Sequence, residues 1–503
     1  MTTTDMAVAA GTPVQRAFVL LTLTMATMLY AMTVTIANVA LPQMQGSLSA
    51  TQDQIAWVVT FNIVATAVAT PMAGWLAARM GRRRLMIAAI SGFAAASFLC
   101  GLAGSVEELV LYRILQGACG APLVPMSQAI LLDTYPKHQH GPATAIWGVG
   151  VILGPIIAPT LGGYLSEAYS WRWVFYMIVP FALVSLAGVM LCIKRRPQRA
   201  RGVRLDWTGF LALSVTVASL QLMLDRGERQ DWFQSWEILI WAGLALSALY
   251  VFVMHSLTAS QPFLSPQLLR DRNFTIGLVI ALVFGMLNFT PITLLPTLLQ
   301  DLRDYPDSII GLVLAARGGG TLVAFAFMIF ASRLDPRIPM TAGFLLQAFA
   351  GWSMWQFDIN VTTWDVLWTT ALQGLGVGLI WVPLSVVTFS TLAPQHVPDG
   401  TAIFHLLRNI GSSIHISLSI ALVIRTSKMN YAGMVESISP FNETLSLPWV
   451  RGLWSTAQQT DLAKLSDEIA RQADMIGYLN SFWFFAVTAL LALPLILLIR
   501  WRS

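Results

Sequence analysis

The chain has 503 residues, of which 56% are hydrophobic and only 11% are charged, against about 25% charged in an ordinary soluble domain. This composition leaves too few polar side chains to cover a soluble protein, so it indicates a polytopic membrane protein and excludes a secreted enzyme, a nucleic-acid-binding protein and a coiled coil. The net charge of +5 is therefore not a nucleic-acid signal, because in a membrane protein the positions of the basic residues carry the information.

About fourteen apolar runs are long enough to cross a bilayer, which needs roughly 20 apolar residues per helix because lipid cannot hydrogen-bond exposed backbone groups. The predicted spans, in chain order, are 17–41, 55–77, 85–104, 109–131, 141–166, 174–193, 206–224, 237–256, 274–298, 308–331, 339–357, 366–392, 403–424 and 477–499. The seventh and eighth runs are well defined, which favours fourteen spans over twelve. The first run is too long for a signal-peptide core and is interpreted as a helix.

Basic residues concentrate in alternate loops. Eighteen of the 30 Lys and Arg residues lie on the side of the N terminus, nine lie on the other side, and three lie inside predicted spans. The positive-inside rule therefore places both termini in the cytoplasm. Segment 425–476 is the one long loop predicted on the far side. Its stretch from Trp454 to Asp474 has apolar residues at helical spacing, so it is interpreted as a solvated loop with some helix or as an amphipathic surface helix.

A glycine and arginine motif follows predicted helix 2, and a weaker counterpart, Phe330 to Ile338, follows helix 10. The motif residues are Gly74, Arg79, Gly81, Arg82 and Arg83. If the two loops are equivalent, residues 1–200 and 259–503 each form a six-helix bundle, and 201–258 inserts helices 7 and 8. Parallel six-helix halves around a midplane cavity are a common transporter plan. Taken alone, the arginines could also serve only to anchor the topology.

Predicted helices 1, 4 and 5 carry further motifs. Helix 1 contains Thr35-Ile-Ala-Asn38-Val-Ala-Leu-Pro42, and helix 4 contains Leu111-Tyr-Arg113-x-x-Gln116-Gly117. The helix 5 motif consists of Gly150, Gly154, Pro155, Pro159, Gly162 and Gly163. Glycine removes side-chain bulk and proline removes a backbone donor, so helix 5 can bend and pack closely on a neighbour. Simple packing and a hinge both remain possible interpretations.

Jointly, these motifs resemble the signatures of the major facilitator superfamily and of its fourteen-helix drug:proton antiporters. Leu220 to Phe233, Asp271 to Gly277 and Ser437 to Asn442 resemble the EmrB branch in particular. The resemblance covers nearly the whole chain. It implies proton-driven export of hydrophobic and amphipathic compounds across a bacterial inner membrane by alternating access.

The resemblance also implies two partners, a periplasmic membrane-fusion adaptor and an outer-membrane channel. It assigns the loop motif to a contact between the halves, and the helix 5 motif to a hinge or seal at their interface. The chain departs from the family pattern at two positions. Ala78 and Thr33 stand where the loop motif and the helix 1 signature normally carry Asp.

Charged groups inside spans are unfavourable in lipid and therefore predict function. Three arginines fall there: Arg113 in helix 4, Arg317 in helix 10 and Arg408 in helix 13. Snorkelling to a membrane surface is the alternative for Arg113 and Arg408. The predicted polar contacts to substrate are Thr33, Asn38, Arg113, Gln116, Arg317, Arg408 and Asn409. Apolar and aromatic side chains, with Trp147 and Trp381 as candidates, would form most of the site, although both could equally face lipid.

No Asp or Glu lies deep within a predicted span, yet a proton antiporter needs a group that titrates between its access states. The candidates are Asp225, which ends helix 7, and His405 and His415 in helix 13. The missing carboxylate favours an alternative, a facilitator or a dedicated exporter of one endogenous metabolite such as a fatty acid or siderophore. A membrane enzyme or sensor is a third interpretation, but the sequence predicts no catalytic motif, metal site or cofactor.

Overall fold

The computed structural model describes residues 12–193, 205–331, 334–439, 442–447 and 459–500. The basic stretch 194–204, which contributes to the predicted topology, lies outside these residues. So do Arg333 and part of the Ser437 to Asn442 motif, and so do the side chains of Asn38 and Pro159.

Besides short 3-10 turns and the four-residue helix Glu443–Ser446, the described residues form fourteen helical segments and no strand, so the predicted all-α class is confirmed. They are α1 (Pro13–Ser47), α2a (Gln52–Ala69) with α2b (Met72–Met80), α3 (Arg82–Leu102), α4a (Val106–Gly120) with α4b (Leu123–Thr134), α5 (His140–Ala168), α6a (Trp173–Tyr176) with α6b (Ile178–Cys192), α7 (Trp207–Arg226), α8 (Trp236–Thr258), α9 (Arg272–Arg303), α10 (Asp307–Ala331), α11 (Arg337–Trp355), α12 (Thr363–Ser390), α13 (Val397–Glu436), and α14a (Gln459–Leu491) with α14b (Leu493–Leu497).

Twelve helices of the described residues are long and apolar enough to cross a membrane, and the pair α2a and α2b, bent by 54°, makes a possible thirteenth. Helix α11, which is 19 residues long, is not among these twelve helices. It occupies the one remaining position of the fourteen predicted spans. The count is therefore compatible with the predicted fourteen spans.

Side-chain caps start several of these helices. Thr51 and Thr362 each form a capping box at the start of α2a and α12. Asp206 and Asp271 accept backbone hydrogen bonds of 3.0 Å at the starts of α7 and α9. Such caps satisfy N–H groups that have no partner within the helix. They explain why these charged residues stand at helix ends and not inside spans.

The helices pack as two groups with an insert between them. Helices α1 to α6 pack chiefly on one another, and helices α9 to α14 do the same. The strongest pairings are α1 with α5 in the first group and α10 with α12 in the second. Helix α7 packs on α2a and on α13, and so touches both groups, whereas α8 packs on α7 and is largely exposed. We refer to α1–α6 and α9–α14 as the two halves.

Segment 425–476 contains the helix expected within Trp454 to Asp474, from Gln459 onward, but its loop is shorter than predicted because both flanking helices extend into the segment. Helix α13 continues to Glu436 and α14a already begins at Gln459. The two extensions lie against each other, with a 2.9 Å hydrogen bond between the Tyr431 and Ser466 hydroxyls. Charged residues end the apolar run in the sequence, but they do not end the helix, because one of its faces remains packed. Leu465 is buried on that face.

The helix bundle has one end on each side of the membrane, and arginine contacts mark one of these ends. One end carries Arg82, paired with Asp133, and Arg337, which donates to the carbonyl of Ile499. The Tyr135 hydroxyl donates to the carbonyl of Arg16 at the same end, 3.0 Å away. We call this end the arginine-rich face. Both ends of the described chain lie there, and its cytoplasmic location remains a prediction.

Candidate functional site

The halves contact each other at the arginine-rich face. Gly74 of α2b lies so close to Asp399 of α13 that a Cβ added to the glycine would overlap the carboxylate. Lys137 donates to the carbonyl of Ser390 at 3.3 Å, and Arg82 donates to the carbonyl of Pro394 at 3.4 Å. These contacts join three places in the first half to the α12–α13 connection of the second.

The loop motif builds this contact from local rules. Gly81 ends α2b with φ of 84°, a left-handed conformation that favours glycine, and it turns the chain directly into α3. The ion pair of Arg82 with Asp133 then ties the loop to α4b. Arg83 donates to the carbonyl of Met190 at 2.5 Å, and Arg79 lies 5.1 Å from the ring centroid of Trp75. The arginines therefore make specific helix-end contacts beyond any effect on topology.

Asp399 was not identified from the sequence. The family pattern predicts a carboxylate at position 78, where this chain has Ala78, and the structure places Asp399 of the opposite half against Gly74 of the same motif. Asp399 stands in the first turn of α13, in a polar stretch that has no apolar periodicity. Nothing in its sequence context distinguishes it from a solvated helix-start residue.

An aromatic and polar cluster continues the interface toward the middle of the membrane. Trp147 of α5 is fully buried and stacks on Trp381 of α12, with centroids 6.4 Å apart and planes 28° apart. His405 of α13 shares a 2.7 Å hydrogen bond with the amide oxygen of Gln128 in α4b. The alternative that the two tryptophans face lipid is therefore wrong, because both are buried between the halves.

The helix 5 motif mainly seats α5 on α1, within one half. A Cβ added to Gly154 would lie 2.7 Å from the carbonyl oxygen of Met28, and one on Gly162 would lie 2.7 Å from Ile36. Gly150 is equally tight against Thr24. Pro155 and Gly163 are half-buried on the same helix. The interface between the halves instead uses Gly148, which faces Phe325 of α10. A hinge role for the motif remains a prediction.

Arg113 forms a closed network inside the first half. Its side chain is 1% exposed, so it does not snorkel to the membrane surface. The guanidinium donates to the Gln116 amide oxygen at 2.6 Å and to the carbonyl of Val58 at 3.2 Å. Gln116 in turn donates to the Ser97 hydroxyl at 2.7 Å. The network joins α2a, α3 and α4a.

Arg317 occupies a similar position in the second half. It is 8% exposed, and its guanidinium donates to the Gln373 amide oxygen at 2.5 Å and to the backbone and side-chain oxygens of Asn288 at 2.7 and 2.8 Å. Gln347 donates to the carbonyl of Gln373. The network joins α9, α10, α11 and α12, and the amide partners were not foreseen from the sequence.

Arg408 has fewer partners. It is 9% exposed, donates to the Asn409 amide oxygen at 3.0 Å, and lies 5.4 Å from the ring centroid of Trp381. Its Nε is buried and makes no hydrogen bond among the described residues. Asn409 is half-buried beside it. The alternative that Arg408 snorkels is wrong, because the side chain turns into the interface between the halves.

The remaining candidates are Thr33, His415, Asn38 and the carboxylate of Asp225. The Thr33 hydroxyl donates to the carbonyl of Leu29 in its own helix. His415 stacks on Phe484 at 4.7 Å and bonds the Thr290 hydroxyl at 2.7 Å, all within the second half. The Thr33 hydroxyl is thus satisfied within its own helix, whereas the Nε2 of His415 is buried and makes no hydrogen bond among the described residues. Asn38, whose side chain lies outside the described part of the chain, stays a prediction.

Asp225 lies where the inserted helix meets both halves. The Thr60 hydroxyl of α2a donates to the Asp225 carboxylate at 2.5 Å. On the other side of α7, Ser413 donates to Gln221 at 2.8 Å and Ser417 donates to the carbonyl of Leu224 at 2.7 Å. Away from the arginine-rich face, α7 therefore fills the space between α2a and α13.

Asp206, at the other end of α7, is a structural carboxylate. Burial opposes its ionisation, but hydrogen bonds from the Gly209 N–H, His255 and the Phe263 N–H outweigh burial and lower its pKa. Asp206 therefore stays ionised and links α7 to α8 and to the following loop. This leaves Asp225 as the better candidate for a titrating group on the insert.

The comparisons with known proteins agree with this geometry. A family model described as Major Facilitator Superfamily matches residues 23–415. The multidrug export protein EmrB of Escherichia coli K12 is 33% identical over 94% of this chain and 93% of its own length. The fatty acid resistance protein FarB of Neisseria gonorrhoeae is 34% identical over 85% of each chain, and the probable multidrug resistance protein EmrY of Escherichia coli K12 is 30% identical over 95% and 94%.

Solved structures show the same fold at low identity. The human organic anion transporter MFSD10 aligns with a TM-score of 0.63 and 14% identity, over 97% of this chain and 100% of that one. The proton:xylose symporter XylE aligns with a TM-score of 0.61 and 12% identity, over 96% and 95%. At this identity, the two structures confirm the predicted fold alone.

Proposed function

The chain belongs to the major facilitator superfamily as an EmrB-like multidrug transporter of the bacterial inner membrane, and from that premise we propose that it exports amphipathic compounds by proton antiport with alternating access. The observation that carries the proposal is the asymmetry of the interface. The halves meet directly at the arginine-rich face, whereas α7 stands between α2a and α13 toward the other face. Rocking the halves would break the first contact and expose the cluster around Trp381.

Transport in proteoliposomes tests the proposal. A panel of lipophilic cations and weak acids is offered with and without an imposed pH gradient. We expect the compounds to accumulate only when the protein is present. Accumulation should increase when the pH gradient drives protons in the direction opposite to the cargo. The absence of protein-dependent flux for every compound, under every gradient, would contradict a transport function.

Proton coupling is proposed to reside at Asp225. The carboxylate is exposed on one side and bonded to buried Thr60 on the other, so it can exchange a proton with water and change a helix contact in the same step. Protonation would convert the charge-assisted hydrogen bond at the α2a–α7 contact, worth about 1.5–3 kcal/mol, into a weaker neutral one worth about 0.5–1.5 kcal/mol. This would bias the position of α2a relative to the insert.

Replacing Asp225 with Asn should therefore abolish the stimulation of transport by a pH gradient while the protein stays folded. The introduced amide oxygen can still accept the Thr60 hydrogen bond, so the variant keeps this contact in its neutral form and loses the charge and its titration. The measurement is the ratio of initial rates with and without the gradient, which should fall to about one. Asp231→Asn, an exposed neighbour in the loop after α7, is the matched control. A normal ratio in Asp225→Asn would exclude Asp225 as the coupling group.

A facilitator or a dedicated exporter of one metabolite is the second candidate. It is favoured by Thr33, which stands where the family's helix 1 carboxylate is expected and bonds only to its own helix in the described contacts. Substrate-induced proton release from purified protein separates the two, because a facilitator releases no proton when cargo binds. Cargo-dependent proton release would remove this candidate.

We also propose that a periplasmic adaptor, and through it an outer-membrane channel, completes the export route. The supporting feature is the pair of helical extensions of α13 and α14a, which present exposed apolar side chains away from the arginine-rich face. These include Met429, Val435 and Leu462, which are 73%, 40% and 41% exposed. Exposed apolar side chains on a rigid helix pair suit a protein partner better than water.

Met429→Arg combined with Leu462→Arg should reduce co-purification with the adaptor about tenfold or more, since a charge placed in an apolar contact is costly. Both sites are exposed, so the fold and detergent-solubilised stability should not change. Glu107→Arg, exposed in the first turn of α4a at the same end of the bundle, is the control. Adaptor recovery equal to the control would remove these extensions as the docking surface.

A further inference from the structure

The three arginines inside the spans have no carboxylate partner among the described residues. Arg113 and Arg317 donate only to amide and carbonyl oxygens, and Arg408 only to the amide of Asn409. Elsewhere in the described chain, arginines near helix ends do pair with carboxylates, as Arg82 does with Asp133 and Arg226 with Glu237. The interior of the bundle therefore carries positive charge that the described residues leave uncompensated.

This imbalance has a direct electrostatic consequence. Guanidinium groups stay charged in proteins, and a buried charge without an opposite partner is unfavourable in a low-dielectric interior. An anion that enters the bundle relieves this unfavourable term, whereas a cation increases it. The sign of the interior charge thus discriminates between classes of cargo before any specific contact is made.

Arg408 is the arginine best placed to meet a cargo molecule. Its Nε is buried and has no hydrogen-bond partner in the described residues, unlike that of Arg113 or Arg317. It projects from α13 over the face of Trp381, at the interface between the halves. Trp381 in turn stacks on Trp147 of α5, which belongs to the first half. Both halves thus contribute groups around one unsatisfied donor.

We propose that Arg408 receives the anionic headgroup of the cargo, with Trp381 beside its apolar part, and that this chain selects anionic amphiphiles over cationic ones. The proposal deepens the proposed export function and rests on it. A planar guanidinium with a free N–H suits carboxylate and sulfonate oxygens, which it can contact through more than one donor. An aromatic face beside it suits an alkyl or aryl tail.

An anionic cargo also changes what drives export. A monovalent anion that leaves a cell with a negative interior moves down the electrical gradient. A potential of 100 mV sustains roughly a 50-fold accumulation of such an anion, which corresponds to the ~2.3 kcal/mol that this potential supplies per charge. The membrane potential therefore adds to proton antiport in driving this cargo outward, because an anion that leaves and a proton that enters both move down the electrical gradient.

Two permanently charged probes of equal chain length test the proposal, because neither can cross by losing its charge. Proteoliposomes of the full chain receive micromolar decyl sulfonate or decyl trimethylammonium at equal pH on both sides, with a potassium diffusion potential of either sign. We expect decyl sulfonate to accumulate on the positive side, toward at least the ~50-fold that 100 mV supports for the anion alone. We expect no protein-dependent movement of decyl trimethylammonium.

Variants at Arg408 assign the effect to this residue. Arg408→Gln should lower the initial rate of sulfonate uptake by about tenfold or more, while Arg408→Lys should retain most of it, since a charge-assisted hydrogen bond is worth about 1.5–3 kcal/mol. Arg471→Gln, which removes an arginine paired with Glu468 on the extension of α14a, is the matched control and should not change the rate. The comparison of the two probes on the unmodified protein decides on charge selection even if a variant fails to fold.

The outcomes separate this inference from the proposed function. Equal transport of both probes, or transport of the cation alone, would overturn anion selection and leave an exporter. Uptake by Arg408→Gln equal to that of Arg471→Gln would overturn the assignment to Arg408. If neither probe moves under a potential or a pH gradient, and the wider panel of compounds is also not transported, the export function itself fails.

Discussion

A disulfide between positions 74 and 399 is expected to stop transport completely, and its reduction is expected to restore it. A Cβ built on Gly74 lies 3.0 Å from the Cα of Asp399, which puts the two Cα atoms within about 4.5 Å of each other, at the short end of the range of about 4.4–6.8 Å across disulfides. The bond would hold α2b on α13 and keep the arginine-rich face closed. A transporter that must open this face alternately would complete no cycle.

The experiment uses Gly74→Cys with Asp399→Cys in a background without the three native cysteines, Cys100, Cys119 and Cys192. Flux into proteoliposomes is measured after oxidation and again after reduction, and each single variant is carried through the same treatment. Oxidation should affect only the double variant. If the cross-linked protein transports at the rate of the reduced protein, the arginine-rich face does not need to open, and alternating access through it is wrong.

Replacement of Arg113 by Ala is expected to abolish transport and also to lower the stability of the first half. The change removes two hydrogen bonds from the guanidinium, leaves the Gln116 amide oxygen and the Val58 carbonyl without a donor, and opens a cavity at a fully buried site. Buried polar groups left unsatisfied cost about 1–3 kcal/mol each. We therefore expect a lower melting temperature in detergent together with loss of flux.

Arg113→Lys separates the contributions of charge and geometry. Lysine keeps the positive charge but lacks the planar fork that reaches Gln116 and Val58 together, so we expect it to recover stability only in part and transport hardly at all. Ser97→Ala removes the outer hydrogen bond from Gln116 and the bond of the Ser97 hydroxyl to the Phe93 carbonyl, but it leaves the contacts of the guanidinium in place, so it should have a much smaller effect. Normal flux through Arg113→Lys would show that the network of Arg113 is dispensable and that its charge alone matters.

The chain departs from the family pattern at Ala78 and at Thr33, and comparison of motifs cannot tell whether another residue takes the place of the missing carboxylate. At Ala78 the expected carboxylate is missing, yet Asp399 of the other half stands against the same motif, more than 300 residues away in sequence. No local pattern could identify this pairing, because it depends on the approach of two helices from different halves. At Thr33 no such replacement occurs in the described contacts, since its hydroxyl is used within its own helix.

The sequence by itself determined the class, the approximate spans and the positions of the three buried arginines, because hydropathy and the exclusion of charge from lipid act on each helix separately. Tertiary structure alone decided what those residues touch. It placed Trp147 against Trp381, extended α13 and α14a through a segment expected to be a loop, and set α7 between α2a and α13. These features arise from the packing of one helix face on another, and the direction of a face toward its neighbour is fixed only when all the helices are assembled.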